Sequence, residues 1–529
     1  MTEASNQLDI LHDEDYDRPF NPQNLNCRGM VFARNRARES LNGRWSFTLD
    51  RFDTGLRQHW YKDCHLPTDG RELPWDYDIH NGESTEVPSC WNFSKPEYFH
   101  YEGSAWYGRQ FDVAPGPDER VMLRVGAAHY DTKVFLNGRF LGNHYGGSTP
   151  FFVEVGDHLE AANHLLLCVN NNRTLDRVPM RHCDWFNYGG VFREVELIRL
   201  PKVFIQDAFV HLVPDGTFRN IRIDVTLSNT QDGDAEVAFP ELGIKTDLPI
   251  RDGKGTLSLA ASPDLWSPET PRLYDLEVTF GDDRITDRIG FREIRTEGQS
   301  IFLNGQPIKL RGICAHEDDR DRGRVTDDAD IRQRFAHAKE LGANFMRLAH
   351  YPHHERAAEI ADEVGLLLWE EIPVYWAIAF ENDATFGDAD NQLSELIRRD
   401  RNRASVIAWG VGNENADTDL RLDFMRRLTK TARKLDPSRL VAAACLVNRD
   451  ARKVEDRLAA HLDLVGINEY YGWYEPDIDD LAEIGRNYDL DRPLIITETG
   501  ADAEGGGGRK THKRPPANHP ATYYEPPSP

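Results

Sequence analysis

The sequence predicts a multidomain β plus α/β protein: a jelly-roll-like β-sandwich, an Ig-like β-sandwich, and a (β/α)8 TIM barrel lacking its last βα unit. Three observations predict it. Short alternating apolar runs divided by Gly, Pro and Asn turns occupy residues 1–297, and strand–helix alternation occupies residues 298–502. The length, 529 residues, also exceeds what one hydrophobic core supports.

Within residues 1–200, VMLRVGAA, TKVFLNGRFLG and HLLLCVNNN read as strands, and Asn137-Gly138 is a strong hairpin signal. Helical periodicity is absent there, so a sandwich is the economical reading. Residues 201–297 remain β in pattern, with FVHLVPDG, IRIDVTLSN, LYDLEVTF and DRIGFREI separated by turns at the spacing of a small Ig-like sandwich. The grammar then changes. IKLRGICAH is a strand, followed by a helix with Ile331, Phe335 and Ala338 at helical spacing. NFMRLAH, LLLWEEI, SVIAWGVGNE, RLVAAACL, DLVGINEY and PLIITETG are further apolar strands, and a helix between two of them carries Leu420, Phe424 and Leu428 on one face. Such alternation argues for a parallel barrel with seven strands legible and an eighth missing, so the chain reads as truncated. After Gly500 come a glycine run, a basic patch and prolines, and residues 503–529 are expected to be a disordered tail.

Composition narrows the function. The formal net charge is −25, from 88 acidic and 63 basic residues, opposite in sign to a nucleic-acid binder and repelled by an anionic membrane. The N-terminus, MTEASNQLDILHDEDYD, lacks the apolar core of a secretory signal, and no run approaches the roughly 20 apolar residues of a membrane span. The cysteines, at 27, 64, 90, 168, 183, 314 and 445, are scattered and without CxxC spacing. That pattern predicts reduced thiols in a cytoplasmic protein and no structural zinc.

Barrel enzymes carry their chemistry where strands end. Glu414 closes the fourth barrel strand and Glu498 nearly closes the seventh, on opposite sides of the mouth. Glycoside hydrolysis needs two carboxyl groups facing each other across the scissile bond, one protonated at neutral pH and one ionised. Three histidines, His350, His353 and His354, stand near Glu355 and are of metal-ligating type, but they straddle a strand end and a helix start. No catalytic metal and no cofactor are expected.

Several segments carry a resemblance. Gly412-Asn413-Glu414 after an apolar strand resembles the acid/base motif of glycoside hydrolase family 2, and Thr497-Glu498-Thr499-Gly500-Ala501-Asp502 resembles the nucleophile motif of its β-glucuronidases. NFMRLAHYPHHERAAEIADEVGLLLW is similar to the family signature around Arg347, His350, Tyr351 and Pro352, and LRGICAHEDD to the first-strand motif bringing His316 and Glu317 to the pocket. INEYYGWYEPD resembles the β-glucuronidase pattern, and DWFNYGGVFREV the sandwich loop that sends Asp184 towards the sugar. The resemblance implies a retaining mechanism with Glu498 as nucleophile and Glu414 as acid/base. It further implies that Asn413 bonds the 2-hydroxyl, that Tyr470 and Arg347 hold the nucleophile, and that Asp184, His316, His350, Asn468 and Tyr474 bind substrate.

Thr499 and Glu469 depart from the family pattern, the former where an aromatic residue is common and the latter where a basic or small one is. The Asn-x-Lys element by which β-glucuronidases hold the sugar carboxylate would fall in the missing part, and no motif assigns Lys510 or Lys513 to it. The expected function is therefore a retaining β-glycosidase acting on terminal β-linked sugars, foremost a β-glucuronidase. A β-galactosidase is the alternative within enzymes, and an inactive, truncated sugar-binding protein the alternative of another class. The expected partner is a carbohydrate, with homo-oligomerisation as the family habit.

Overall fold

The computed structural model describes residues 20, 24–62, 79, 82–113, 116, 118–475, 477 and 479–500. The tail read at 503–529 lies outside them. In the first sandwich, a four-stranded antiparallel sheet (Arg38–Ser40, Val195–Pro201, Glu119–Val125, Phe151–Glu154) faces a six-stranded one. Their inward residues, among them Trp45, Phe47, Tyr107, Leu123 and Leu167, form one buried cluster. The hairpin expected at Asn137-Gly138 joins strands Asp131–Leu136 and Arg139–Tyr145. Both turn residues have positive φ, 51° and 76°, as a two-residue hairpin turn of matching twist demands.

Between Ile205 and Ile289 a three-stranded and a four-stranded antiparallel sheet make the seven-strand Ig-like sandwich. Strict alternation drives it: Ile221, Ile223, Val225 and Leu227 are buried on one strand, while Arg222, Asp224 and Thr226 point out. A small antiparallel sheet (Ile294–Glu297, Ser300–Leu303, Gln306–Ile308), unread in the sequence, leads into the barrel.

Among the described residues the barrel comprises seven parallel strands: β1 Gly312–Ala315, β2 Phe345–Leu348, β3 Leu367–Glu371, β4 Val406–Asn413, β5 Leu440–Cys445, β6 Leu464–Asn468 and β7 Leu494–Glu498. Each pairs with the next in sequence order. Five helices stand between or beside them: α1 Asp328–Glu340, α2 Glu355–Val364, α3 Asp383–Asp400, α4 Asp419–Leu435 and α5 Asp479–Asn487. Helix α1 starts on a capping box formed by Asp327 and Asp330, and buries Ile331, Phe335 and Ala338 as their spacing predicts. Helix α4 buries Phe424, Met425, Leu428 and Ala432, but Leu420 is 57% exposed. Leu420 lies at the edge of the buried face, which is centred instead on Arg421, Phe424, Met425, Leu428 and Ala432, so that part of the periodic reading is corrected.

Strands β2 to β6 are buried along their whole length, whereas β1 and β7 are partly exposed. The difference coincides with the seam between β7 and β1, where no backbone ladder pairs the two edges among the described residues. The edges nevertheless meet: the Cys314 thiol donates to the Thr497 carbonyl at 2.6 Å. The sandwich is tied to the barrel by Arg124 to Glu355 at 2.7 Å and Arg193 to Glu317 at 2.8 Å, and Thr149 and His144 both reach the buried Glu395. No helix among the described residues is long and apolar enough to cross a membrane.

Candidate active site

Strand alternation delivers the site. β2 turns Phe345 and Arg347 into the barrel and sends Met346 and Leu348 out to the helices; β3 does likewise with Leu367, Trp369 and Glu371 against Leu368. Arg347 therefore lies buried at the centre of the mouth. Its Nε and Nη2 donate to Glu371 at 3.0 and 2.9 Å, its Nη1 to Glu498 Oε1 at 2.6 Å, and its Nη2 to Asn413 Oδ1 at 2.7 Å. Burial alone would lower the Arg347 pKa, but the charges of Glu371 and Glu498 outweigh it and raise it, so the cation is permanent.

Glu498 receives a second donor on its other oxygen, the Tyr470 hydroxyl. Burial first, then this bond to Glu498, raises the Tyr470 pKa, so the phenol keeps the proton it donates. His350 completes the cluster: its Nδ1 is 2.9 Å from Glu371 and its Nε2 is 3.4 Å from Glu498. Burial would push the Glu371 carboxyl up, but Arg347 and His350 overcome it and hold its pKa at about 2. Glu371 is thus a fixed anion anchoring Arg347 beneath Glu498.

Glu414 follows the last residue of β4 with φ of 50°, in the left-handed region. A non-glycine residue there costs about 1–2 kcal/mol, and the turn takes its side chain away from the strand line. Trp376 Nε1 and Asn413 Nδ2 donate to Glu414 Oε2 at 3.1 and 3.2 Å. The Asn413 amide has one possible orientation, because its Oδ1 already accepts from Arg347 and from Asn468 Nδ2. Burial raises the Glu414 pKa; the Trp376 bond opposes this, and the charge of Glu498 reinforces it. One carboxyl is thereby biased towards its acid form, while the other is held by a cation and a phenol.

This balance makes a prediction. Replacing Trp376 by Phe removes a bond that stabilises the Glu414 carboxylate, so the acid should retain its proton to higher pH. The alkaline limb of the kcat/KM profile is expected to move up by about half to one pH unit, the equivalent of one hydrogen bond. A limb that stays in place or moves down would remove Glu414 as the group reported by that limb.

The remaining residues expected from the sequence divide. His316 lines the mouth, bonded to Tyr351 Oη at 3.0 Å, and burial followed by the charge of His350 lowers its pKa to about 3, leaving it neutral. Asn468 is within the site but fully engaged, accepting from Thr497 Oγ1 at 2.7 Å and donating to Asn413. Asp184 is exposed on the sandwich loop, near enough to Tyr375 for its charge to help raise that phenol, after burial. Tyr474 stands on the rim, 66% exposed, edge-on to Tyr470.

Glu317, expected at the pocket, instead turns away: it binds Arg193 and the backbone N–H of His354, tying the sandwich to the start of α2. The three histidines diverge, because each serves a different local need. His350 joins the carboxylates, His353 Nε2 bonds the Ala349 carbonyl, and His354 caps α2.

Four contributors escaped the sequence reading. Glu371 stands at the end of β3 and answers to the same strand-end rule that located Glu414. Trp369 donates to Glu371 at 2.7 Å and forms the floor. Trp185, next to Asp184 on the sandwich loop, stacks on His350 at 5.6 Å and meets Tyr375 edge-on at 5.1 Å. Trp376, with φ of 49°, lies in the irregular segment after β3, where no periodicity marks it.

A barrel mouth carrying two carboxyl groups in unlike environments, fed by a loop from an N-terminal sandwich, is the design of a glycoside hydrolase. The chain belongs to glycoside hydrolase family 2: residues 38–201 match the family's sugar binding domain, residues 203–292 its glycosyl hydrolases family 2 model and residues 294–519 its TIM barrel domain. It is similar to a beta-glucuronidase from Paenibacillus borealis, 28% identical over 92% of this chain and 86% of that one. One from Streptococcus agalactiae is 28% identical over 89% and 84%. Among solved structures, an uncultured Clostridium sp. beta-glucuronidase superposes with a TM-score of 0.76 at 26% identity, covering 91% of this chain and 86% of that one. The Ruminococcus gnavus beta-glucuronidase gives 0.78 at 25%, covering 92% and 86%.

Proposed function

We propose that this chain is a retaining β-glucuronidase, with Glu498 as nucleophile and Glu414 as general acid/base. The observation that carries the assignment of roles is the asymmetry of the two carboxyls: Arg347 and Tyr470 hold Glu498, whereas burial favours the protonated form of Glu414. In the first step Glu498 attacks the anomeric carbon while Glu414 gives its proton to the departing oxygen. In the second, Glu414 takes a proton from water, which displaces Glu498 and restores the starting state. Asn413, oriented by Arg347 and Asn468, offers its Nδ2 at the junction of acid and sugar.

The choice of a uronic acid is supported by the relatives named above. Arg347 already serves Glu371, Glu498 and Asn413, so it is not free to recognise a sugar carboxylate. Hydrolysis of 4-nitrophenyl β-glucuronide and β-galactoside by the purified chain tests the choice: the glucuronide should be preferred by at least about 100-fold, a charge-pair discrimination. Preference for the galactoside would overturn it.

The role of Glu414 has its own signature. Glu414→Ala should lose about 10²–10⁴-fold on alkyl glycosides, whose leaving oxygen needs the proton, and far less on the activated nitrophenyl glycoside in the glycosylation step. Equal losses in that step would remove it as the acid. A cytoplasmic location and homo-oligomerisation belong to this proposal as well, and size-exclusion chromatography of the purified chain tests the latter.

A further inference from the structure

Beside Glu414, between the ends of β5 and β6, opens a cavity of about 400 Å³ that the reaction as described leaves unused. Its walls include Leu446, Val447, Asn448, Arg449 and Glu469 as well as Glu414. Because Glu414 gives its proton to the departing oxygen, the leaving group must emerge on Glu414's side. This cavity has Glu414 as its wall.

We propose that the cavity is a leaving-group subsite built for a polyhydroxylated leaving group, a second sugar, read by Glu469 and Arg449. The inference rests on the hydrolase reading above. Glu469 is only 3% exposed, yet among the described residues its buried Oε2 has no partner at good hydrogen-bond geometry. Its one charged partner, Arg449 Nε, stands 3.5 Å from Oε2, beyond good hydrogen-bond geometry. Arg449 is half exposed, leans on Glu475 through Nη1 at 3.4 Å, and donates no hydrogen bond from Nη2 among the described residues.

A buried acceptor without a donor costs about 1–3 kcal/mol, more when charged, so the pair is short of hydrogen-bonding partners. An acceptor beside a planar donor suits adjacent hydroxyls of a sugar ring: one donates to Glu469 and the next accepts from Arg449. Among the described residues no aromatic side chain lines the cavity, so they give a flat aryl group nothing to stack on. Glu469 is also one of the two residues, with Thr499, that depart from the family pattern. Its backbone N–H is fixed on the Glu498 carbonyl at 3.0 Å, so its side chain is placed by the same strand ends that place the two catalytic candidates.

The test compares leaving groups. Disaccharides carrying glucuronic acid β-linked to O2, O3, O4 or O6 of glucose would be assayed beside 4-nitrophenyl β-glucuronide, with the native chain, Glu469→Leu and Arg449→Met. The ratio of kcat/KM for the best disaccharide over the aryl glycoside is expected to fall about 10- to 100-fold in each variant, the loss of one charge-assisted hydrogen bond. Arg449 is surface-accessible, so Arg449→Met keeps the test valid if Glu469→Leu melts early. A ratio unchanged in folded Arg449→Met would overturn the subsite and leave the hydrolase reading standing. Turnover of no glycoside by the native chain would overturn that reading, and the subsite with it.

Discussion

Glu498→Gln is expected to lower turnover of 4-nitrophenyl β-glucuronide by at least about 10⁴-fold, the scale on which loss of a covalent nucleophile is felt. The fold should survive. Glu498 is the outermost partner of Arg347, and Glu371 and Asn413 remain to hold the guanidinium when the charge at position 498 is removed. The substituted amide keeps an oxygen for the 2.6 Å bond from Nη1, and only the negative charge and the attacking lone pair are lost. Thermal unfolding and steady-state kinetics on the same preparation check both halves. Retention of more than about a tenth of the activity would exclude Glu498 as the nucleophile.

Arg347→Met carries the second large effect, and it should strike stability as well as rate. Arg347 and Glu371 are both almost fully buried, and breaking a buried ion pair by removing one partner costs about 3–5 kcal/mol because the other charge is stranded. The barrel's unfolding transition should fall accordingly, and activity should vanish with the orientation of Glu498 and Asn413. The sign of the pH dependence follows from Glu371, whose folded pKa of about 2 lies below the ordinary carboxylate value. Its contribution is fully present above about pH 4.3 and is lost as pH falls through 2. In Arg347→Met that contribution disappears, so destabilisation relative to the native chain should be greatest near neutrality and shrink in acid. A double variant, Arg347→Met with Glu371→Gln, should recover part of the loss. If both single and double variants melt with the native chain, the pair is not an anchor of the barrel.

The sequence alone determined the order and type of the sandwich and barrel elements, though not the small sheet at Ile294–Ile308, because hydrophobic period is a local property. Alternation in IRIDVTLSN and helical spacing at Ile331, Phe335 and Ala338 are visible to each segment by itself, and all seven barrel strands were legible in that way. Strand ends also marked Glu414 and Glu498, since apolar runs that stop at a carboxylate are read without knowing the neighbours. Glu371 obeyed the same rule and went unread only because no motif drew attention to it. What the tertiary structure alone decided is who meets whom. Arg347 joins Glu371, Asn413 and Glu498 across up to 151 residues of chain, Trp185 arrives from another domain, and Glu317 leaves the pocket for Arg193. Charge pairing and hydrogen bonding act at a few ångströms in space, and no period in the sequence records which side chains the closing of a barrel brings that near.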